Sequence, residues 1–156
     1  MKSLERRLDN ELMEAALEEA SRSNCVSRQV GAVIAKESNI ISAACNGVPT
    51  FSGNCVEAGC PRCRTKDQMT GIGYDRCICV HAEQHAIAVA ARKGLSVEGA
   101  TLYSSLRPCI TCSTNALAAG IRRIVFAGIW RYEDIELENA LNLLSKHFDA
   151  FFCLNE

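Results

Sequence analysis

Leucine and alanine recur at every third or fourth position near the start of the chain. Leu4, Leu8, Leu12, Ala15, Ala16 and Ala20 form one stripe with glutamates and arginines between them, which predicts an amphipathic helix over about residues 4–22. The pattern then shortens. Residues 30–35 (VGAVIA) and 40–44 (IISAA) are brief apolar, strand-prone runs separated by residues 36–39, the pattern of a hairpin. An alanine-rich helical stretch runs from His81 to about Lys93, with Gly94 as its stop. Residues 100–105 predict a strand, 109–119 a helix ended by Gly120, and 123–127 another strand. A second amphipathic helix over 135–147 and a closing strand over 148–154 complete the series.

The order α-β-β-α-β-α-β-α-β predicts an α/β domain with one five-stranded sheet covered on both faces. A helix separates the last two strands, which favours a parallel crossover there over a hairpin. Residues 46–79 fit neither period and are rich in glycine, charge and cysteine. So long a structureless loop is rare in a compact domain unless it is functional or stapled. Cys55, Cys60, Cys63, Cys77 and Cys79 lie inside it as a possible staple.

Composition narrows the class. The 156 residues predict a single domain, 1–156, with the cysteine-rich insertion at about 46–79. A net charge of −1 supplies no global basic field for nucleic acid or an anionic membrane. No apolar run approaches the ~18–20 residues of a membrane span, and no apolar leader opens the chain, so a soluble, cytoplasmic protein is expected. In that setting ten cysteines read better as thiolates and metal ligands than as disulfides.

The chemistry concentrates in His81-Ala82-Glu83 and Pro108-Cys109-Ile110-Thr111-Cys112. Cys109 and Cys112, three apart at a helix start, project to one side, and the positive helix end favours their thiolate forms. Two thiolates and the His81 imidazole leave the fourth tetrahedral position of Zn²⁺ open for water, the mark of a catalytic metal site. Glu83, two residues after His81, can reach that water without ligating the metal and serves as general acid/base. A closed zinc site would leave Glu83 without a role. His81 and His85, four apart on one helix face, could share a metal, but the two-histidine protease motif needs glutamate directly after the first histidine, where this chain has Ala82. The H-x-E…P-C-x-x-C spacing is that of zinc-dependent nucleobase deaminases.

Across nearly its whole length the chain resembles the deoxycytidylate (dCMP) deaminase group of the cytidine deaminase superfamily. The matching stretches are 30–34 (VGAVI), 46–49 (NGVP), 81–87 (HAEQHAI), 98–103 (EGATLY), 108–112 (PCITC) and 119–121 (AGI). The resemblance implies a three-layer α/β/α fold with a five-stranded mixed sheet, a catalytic zinc, and hydrolysis of dCMP to dUMP and ammonia. It places Asn46 against the substrate sugar and Ser104 and Ser105 near the base. It also implies a homo-oligomer, and a deoxynucleoside triphosphate effector near residues 71–75 (GIGYD), where a plain turn is the simpler reading. Arg28, Arg62, Arg64 and Lys66 are candidate phosphate partners. Two positions depart from the group: His85 stands where it usually has asparagine, and Trp130 where tyrosine is frequent. His85 can contact substrate or pack the helix, and Trp130 can stack on a base or fill the core.

Some members of the group carry a second, structural zinc. Cys25, Cys55 and Cys79 match the positions used for it, and Cys60, Cys63 and Cys77 all remain open as the fourth ligand; the alternative is a set of reduced, buried thiols. Cys45 and Cys153 lie in or beside strands and are expected in the core. Competing functions keep the zinc chemistry on a free base or nucleoside, turn it on nucleic acid, or make the chain a silent zinc-binding subunit. The near-neutral charge argues against nucleic acid, and the intact Glu83 against silence.

Overall fold

The computed structural model of the chain describes residues 2–65 and 73–156. Lys66, Gly71 and Ile72, named above, lie outside the described residues. Helix α1 (Lys2–Ala20) leads into the hairpin of β1 (Gly31–Lys36) and β2 (Asn39–Cys45). After the cysteine-rich segment come α2 (Ala82–Arg92), β3 (Thr101–Leu106), α3 (Ile110–Ala118), β4 (Arg123–Gly128), α4 (Ile135–Ser145) and β5 (Ala150–Cys153). The five strands form one sheet in the order β2-β1-β3-β4-β5. β1 is antiparallel to both neighbours, while β3, β4 and β5 run parallel, including the expected crossover through α4.

Strand alternation builds two cores, because successive side chains point to opposite faces. Ala32, Ile34, Leu102, Ile124 and Phe126 face Ala82, Ala86 and Ala90 of α2 and Ala116 of α3. Val33, Ala35, Tyr103 and Val125 face Leu12, Met13 and Ala16 of α1. The result is the expected three-layer α/β/α arrangement. The α1 stripe is shifted from the sequence pattern: Leu4 is exposed, beyond the edge of its core, and Met13 takes an inward position. Gly31 permits the close approach of α1, since a Cβ there would meet the Ala16 carbonyl oxygen at 2.0 Å.

This scaffold brings two helix starts together. α2 and α3 lie on the same face and touch each other, so their N-termini open at the same end of the sheet. Within the described part of 46–79 the only regular elements are a single 3₁₀ turn, Tyr74–Arg76, and an isolated bridge between Gly47 and Val80.

Candidate active site

His81 and Cys109 occupy equivalent positions, each the N-cap of its helix. An N-cap side chain points back over the first turn, where it meets unpaired backbone N–H groups. His81 closes a capping box with Gln84. The Cys109 sulfur accepts from the Cys112 N–H at 3.5 Å. Cys109 is therefore the cap rather than the first helical residue, and Pro108 sits one position outside α3. The His81 Nδ1 lies 3.2 Å from Cys112 Sγ and 3.6 Å from Cys109 Sγ.

The three donor atoms fall within 4.8 Å of one another, close enough to converge on one ion. Their chemistry fits zinc, which takes thiolate sulfur at ~2.3 Å and imidazole nitrogen at ~2.0–2.1 Å in tetrahedral sites. The electrostatics are those of two neighbouring sulfurs sharing one negative charge. The neighbouring Cys112 thiol, with His81, brings Cys109 down to about 4. The same contact with Cys109, together with burial, pushes Cys112 up. Its contact with Cys109 raises His81.

Glu83 lies in the first turn of α2 and is 4% exposed. Ser104, fully buried on β3, donates from Oγ to Glu83 Oε1 at 3.2 Å. A carboxylate in the first turn of a helix is normally favoured by the helix dipole. Burial outweighs that here and raises the carboxyl above its usual range. The site thus holds a buried proton acceptor next to three soft ligands.

A cleft opens over these groups. His81, Glu83, Cys109, Asn46, Arg28 and Trp130 contribute to its lining. Asn46 is already heavily engaged: its Oδ1 accepts from Val30 N at 2.8 Å and Ser23 Oγ at 2.7 Å, and its Nδ2 donates to Arg28 O at 2.7 Å. One amide hydrogen is left for a ligand. Ser105 Oγ accepts from Gly31 N at 3.0 Å and so ties β3 to the start of β1. His85 is not among the cleft-lining residues; its Nδ1 donates to the Cys45 carbonyl oxygen at 2.9 Å, against β2. Arg62 also lines the cleft, while Arg64 is exposed outside it.

Several residues at the rim went unread in the sequence. Arg107 is buried and paired with Glu138 at 2.9 Å, and it donates to the Trp130 carbonyl oxygen at 3.0 Å. Trp130 Nε1 returns a short hydrogen bond to the Arg107 carbonyl oxygen. The Tyr132 hydroxyl accepts from Ile110 N at 3.1 Å, satisfying a donor at the start of α3, and the Trp130 and Tyr132 rings meet edge to face. Tyr74 packs edge-on against His81, with the Arg62 guanidinium 4.2 Å above its ring. The adjacent Arg-Pro-Cys and Trp-Arg-Tyr strings were the available signals, but sequence spacing alone does not pair segments more than twenty residues apart.

Six cysteines gather beside the cleft. Cys25, Cys55, Cys63 and Cys79 have sulfurs within 4.8 Å of one another, so of the three cysteines left open by the sequence Cys63 lies beside Cys25, Cys55 and Cys79. Cys60 and Cys77 adjoin them, 3.9 Å apart. Burial opposes ionisation of Cys60, but backbone N–H groups of Cys63 and Ile78, aided by contacts with neighbouring thiols, bring it down to about 7. Burial and crowding by the other thiols push Cys63 and Cys79 up. Cys45 and Cys153 stand apart from this cluster, on β2 and β5.

Known proteins resemble this chain in sequence and in fold. The family model for the cytidine and deoxycytidylate deaminase zinc-binding region matches residues 6–128, which include the triad and Glu83. Deoxycytidylate deaminase of Saccharomyces cerevisiae is 38% identical over 126 residues, 81% of this chain and 39% of its own length. That of Mycobacterium phage D29 is 38% identical over 112 residues, 69% of this chain and 84% of its own. The chain spans under two fifths of the two yeast relatives it matches, 39% and 36% of their lengths. The dCMP deaminase of cyanophage S-TIM5, solved with dCMP and dUMP, aligns with a TM-score of 0.70 at 24% identity, covering 92% of this chain and 95% of its own, a likeness of fold. With paired helix caps, a buried glutamate and a family match running through both, the chain belongs to the cytidine and deoxycytidylate deaminase zinc-binding family.

Proposed function

We propose that this chain is a zinc-dependent hydrolase that converts dCMP and water to dUMP and ammonia. The observation that carries the reading is the buried Glu83 beside the His81, Cys109 and Cys112 donors, in a chain 38% identical to deoxycytidylate deaminases. His81 through Nδ1 and Cys109 and Cys112 through sulfur hold the catalytic zinc. When bound, zinc supplies the electrophilic activation that lets water act as a nucleophile near neutral pH.

The protein's own groups then move the protons. Glu83 takes one from the attacking water, passes it to the ring nitrogen N3, and assists departure of the amino group as ammonia. Its raised pKa suits a group that must both accept and release a proton near neutrality. Ser104 orients the carboxylate through Oε1. Arg28 and Arg62 bring positive charge to the cleft, as a 5′-phosphate requires. The free-base or nucleoside alternative leans on His85 facing substrate, and the place of His85 against Cys45 lends it no support.

The finer assignments belong to the same reading. Cys25, Cys55, Cys63 and Cys79 hold a structural zinc that organises the loop. Ile135, Leu137 and Leu143 leave apolar surface on α4 that a second copy of the chain can cover, giving a homo-oligomer. Ten free cysteines fit a reducing, cytoplasmic setting; among the described residues, no helix is long and apolar enough to cross a membrane. A deoxynucleoside triphosphate effector remains part of the proposal on family resemblance alone.

Ammonia release from a panel of dCMP, CMP, deoxycytidine, cytidine, cytosine and guanine tests the substrate. dCMP should have the highest kcat/KM. A free base or nucleoside handled a hundredfold better than dCMP would overturn the substrate while leaving the deaminase chemistry standing.

A further inference from the structure

The loop cysteines fall into two groups of four that overlap. Cys25, Cys55, Cys63 and Cys79 form one, and Cys60, Cys63, Cys77 and Cys79 the other; within each, all four sulfurs lie within 4.8 Å of one another. Cys63 and Cys79 belong to both. A tetrahedron with zinc–sulfur bonds of ~2.3 Å has sulfur–sulfur edges of ~3.8 Å. Cys60 and Cys77, the two sulfurs that a single ion in the first group leaves out, are separated by 3.9 Å. They are placed as the outer edge of a second tetrahedron that shares the Cys63–Cys79 edge with the first.

We propose that the loop holds a binuclear zinc–thiolate cluster, with Cys25 and Cys55 terminal on one ion, Cys60 and Cys77 terminal on the other, and Cys63 and Cys79 bridging both. The proposal rests on reading the loop as a metal site and extends it from one ion to two.

The hydrogen bonds into sulfur point the same way. Such donors stabilise a thiolate over a thiol. In the first group, Cys25 receives the backbone N–H groups of Ser27 and Arg28, Cys55 that of Val26 at 3.4 Å, and Cys63 the Ser27 hydroxyl at 3.4 Å. The extra pair is served in the same manner. Cys60 receives the N–H groups of Cys63 and Ile78, and Cys77 that of Cys79. Thiols serving only as small hydrophobes have no need of backbone donors turned toward them.

Charge and architecture agree. Six thiolates on two Zn²⁺ carry a net charge of −2, and Arg28 and Arg62 line the cleft with Cys25, Cys77 and Cys79. Cys55 and Cys60 are completely buried, and Cys25 and Cys63 are each 7% exposed, in a segment with little regular structure to hold it. An edge-shared pair ties together four stretches of chain, around Cys25, Cys55, Cys60–Cys63 and Cys77–Cys79.

Native mass spectrometry of the zinc-loaded chain tests the count. Three zinc ions per chain are expected, one at His81, Cys109 and Cys112 and two in the loop. Cys60→Ser with Cys77→Ser should lower the count to two, and Cys109→Ser with Cys112→Ser should also give two, leaving the loop pair intact. A wild-type chain that binds no more than two zinc ions, or a Cys60–Cys77 disulfide in the reduced, metal-loaded protein, would overturn the proposal. Cobalt-loaded wild type supplies a reading that does not depend on the variants folding. Bridging sulfurs couple the two ions, so the electron paramagnetic signal per loop cobalt should fall as the second ion enters; an unchanged signal per ion would also overturn the pair. Failure of the dCMP reading looks different, as three zinc ions with no ammonia released from dCMP.

Discussion

The His81–Cys109–Cys112 triad and the six-cysteine loop offer zinc-type ligands at neighbouring places in one molecule, yet they are built in opposite ways. Secondary structure places the triad. His81 and Cys109 are helix caps, and both helices are pinned to the sheet by Ala82, Ala86 and Ala116. In the loop almost nothing regular places the sulfurs, which lie in turns and extended segments and converge on one another. The triad can therefore persist as a preformed pocket without its metal. With metal bound as proposed, the loop would draw its order from the ions, because a site assembled on folding turns binding energy into folding energy.

The sharpest test of this contrast removes chemistry at the triad without touching the scaffold. Glu83→Gln should fold and keep its zinc, yet lose about 10²–10⁴-fold in kcat, the usual contribution of a positioned proton carrier. Steady-state ammonia release with metal analysis on the same sample checks it. Turnover at the wild-type rate would remove Glu83 from its role.

Next in size is the loop itself. Cys55→Ser should lower the melting temperature by about 10 °C, the shift expected if losing a structural metal costs several kcal/mol in a domain of this size. Cys45→Ser, outside the cluster, should shift it far less. Chelation by a strong ligand should move wild type toward the Cys55→Ser value. Equal melting of the two serine variants would mean that the loop is not held by metal.

These tests follow the line along which the sequence could be read. Helices, strands and the parallel crossover through α4 were visible because each reflects a local period and a short connection. Glu83 and the triad were visible because the H-x-E and P-C-x-x-C spacings are each confined to a few neighbouring residues. Cys63 could not be picked from Cys60 and Cys77 by spacing, since the loop folds through contacts that no period encodes. The rim was hidden for the same reason. Arg107 meets Glu138 thirty-one positions away, and nothing near either residue announces the pairing. His85 is the instructive case between these extremes. Its position one turn after His81 was legible, but which way its ring faced depended on the Cys45 carbonyl, forty residues earlier.

A smaller effect probes how the scaffold tunes the triad side. Ser104→Ala removes the hydroxyl that donates to Glu83 and leaves the carboxylate less firmly aimed. A hydrogen bond to a charged group contributes about 1.5–3 kcal/mol, so a tenfold or somewhat larger fall in kcat is expected, with KM nearly unchanged. If KM rises instead and kcat holds, Ser104 serves binding rather than the proton carrier.

The mildest prediction concerns the buried ion pair behind the cleft. Glu138 accepts from Arg107, from Arg131 and from the Tyr132 N–H, and these contacts, Arg107 foremost, hold its carboxyl below the usual range despite burial. A carboxyl depressed in the folded state contributes stability that is fully present above its unfolded pKa, about 4.3 for glutamate. That stability is lost as pH falls below this value and through the lower folded pKa, because protons then bind the unfolded chain more readily. Acid also protonates thiolates and strips zinc, so wild type alone cannot isolate the pair. The comparison with Glu138→Gln can, since both chains share the metal sites and differ in one titrating group. Melting curves from pH 7 down to 3 should show wild type ahead by a constant margin above about pH 5 and the margin shrinking below it. Parallel curves across that range would place the pair's worth in packing rather than charge. Arg107 also holds Trp130 through hydrogen bonds in both directions, so Glu138→Gln should loosen the cleft rim and raise KM for dCMP at neutral pH, while substitutions in the loop act through melting first.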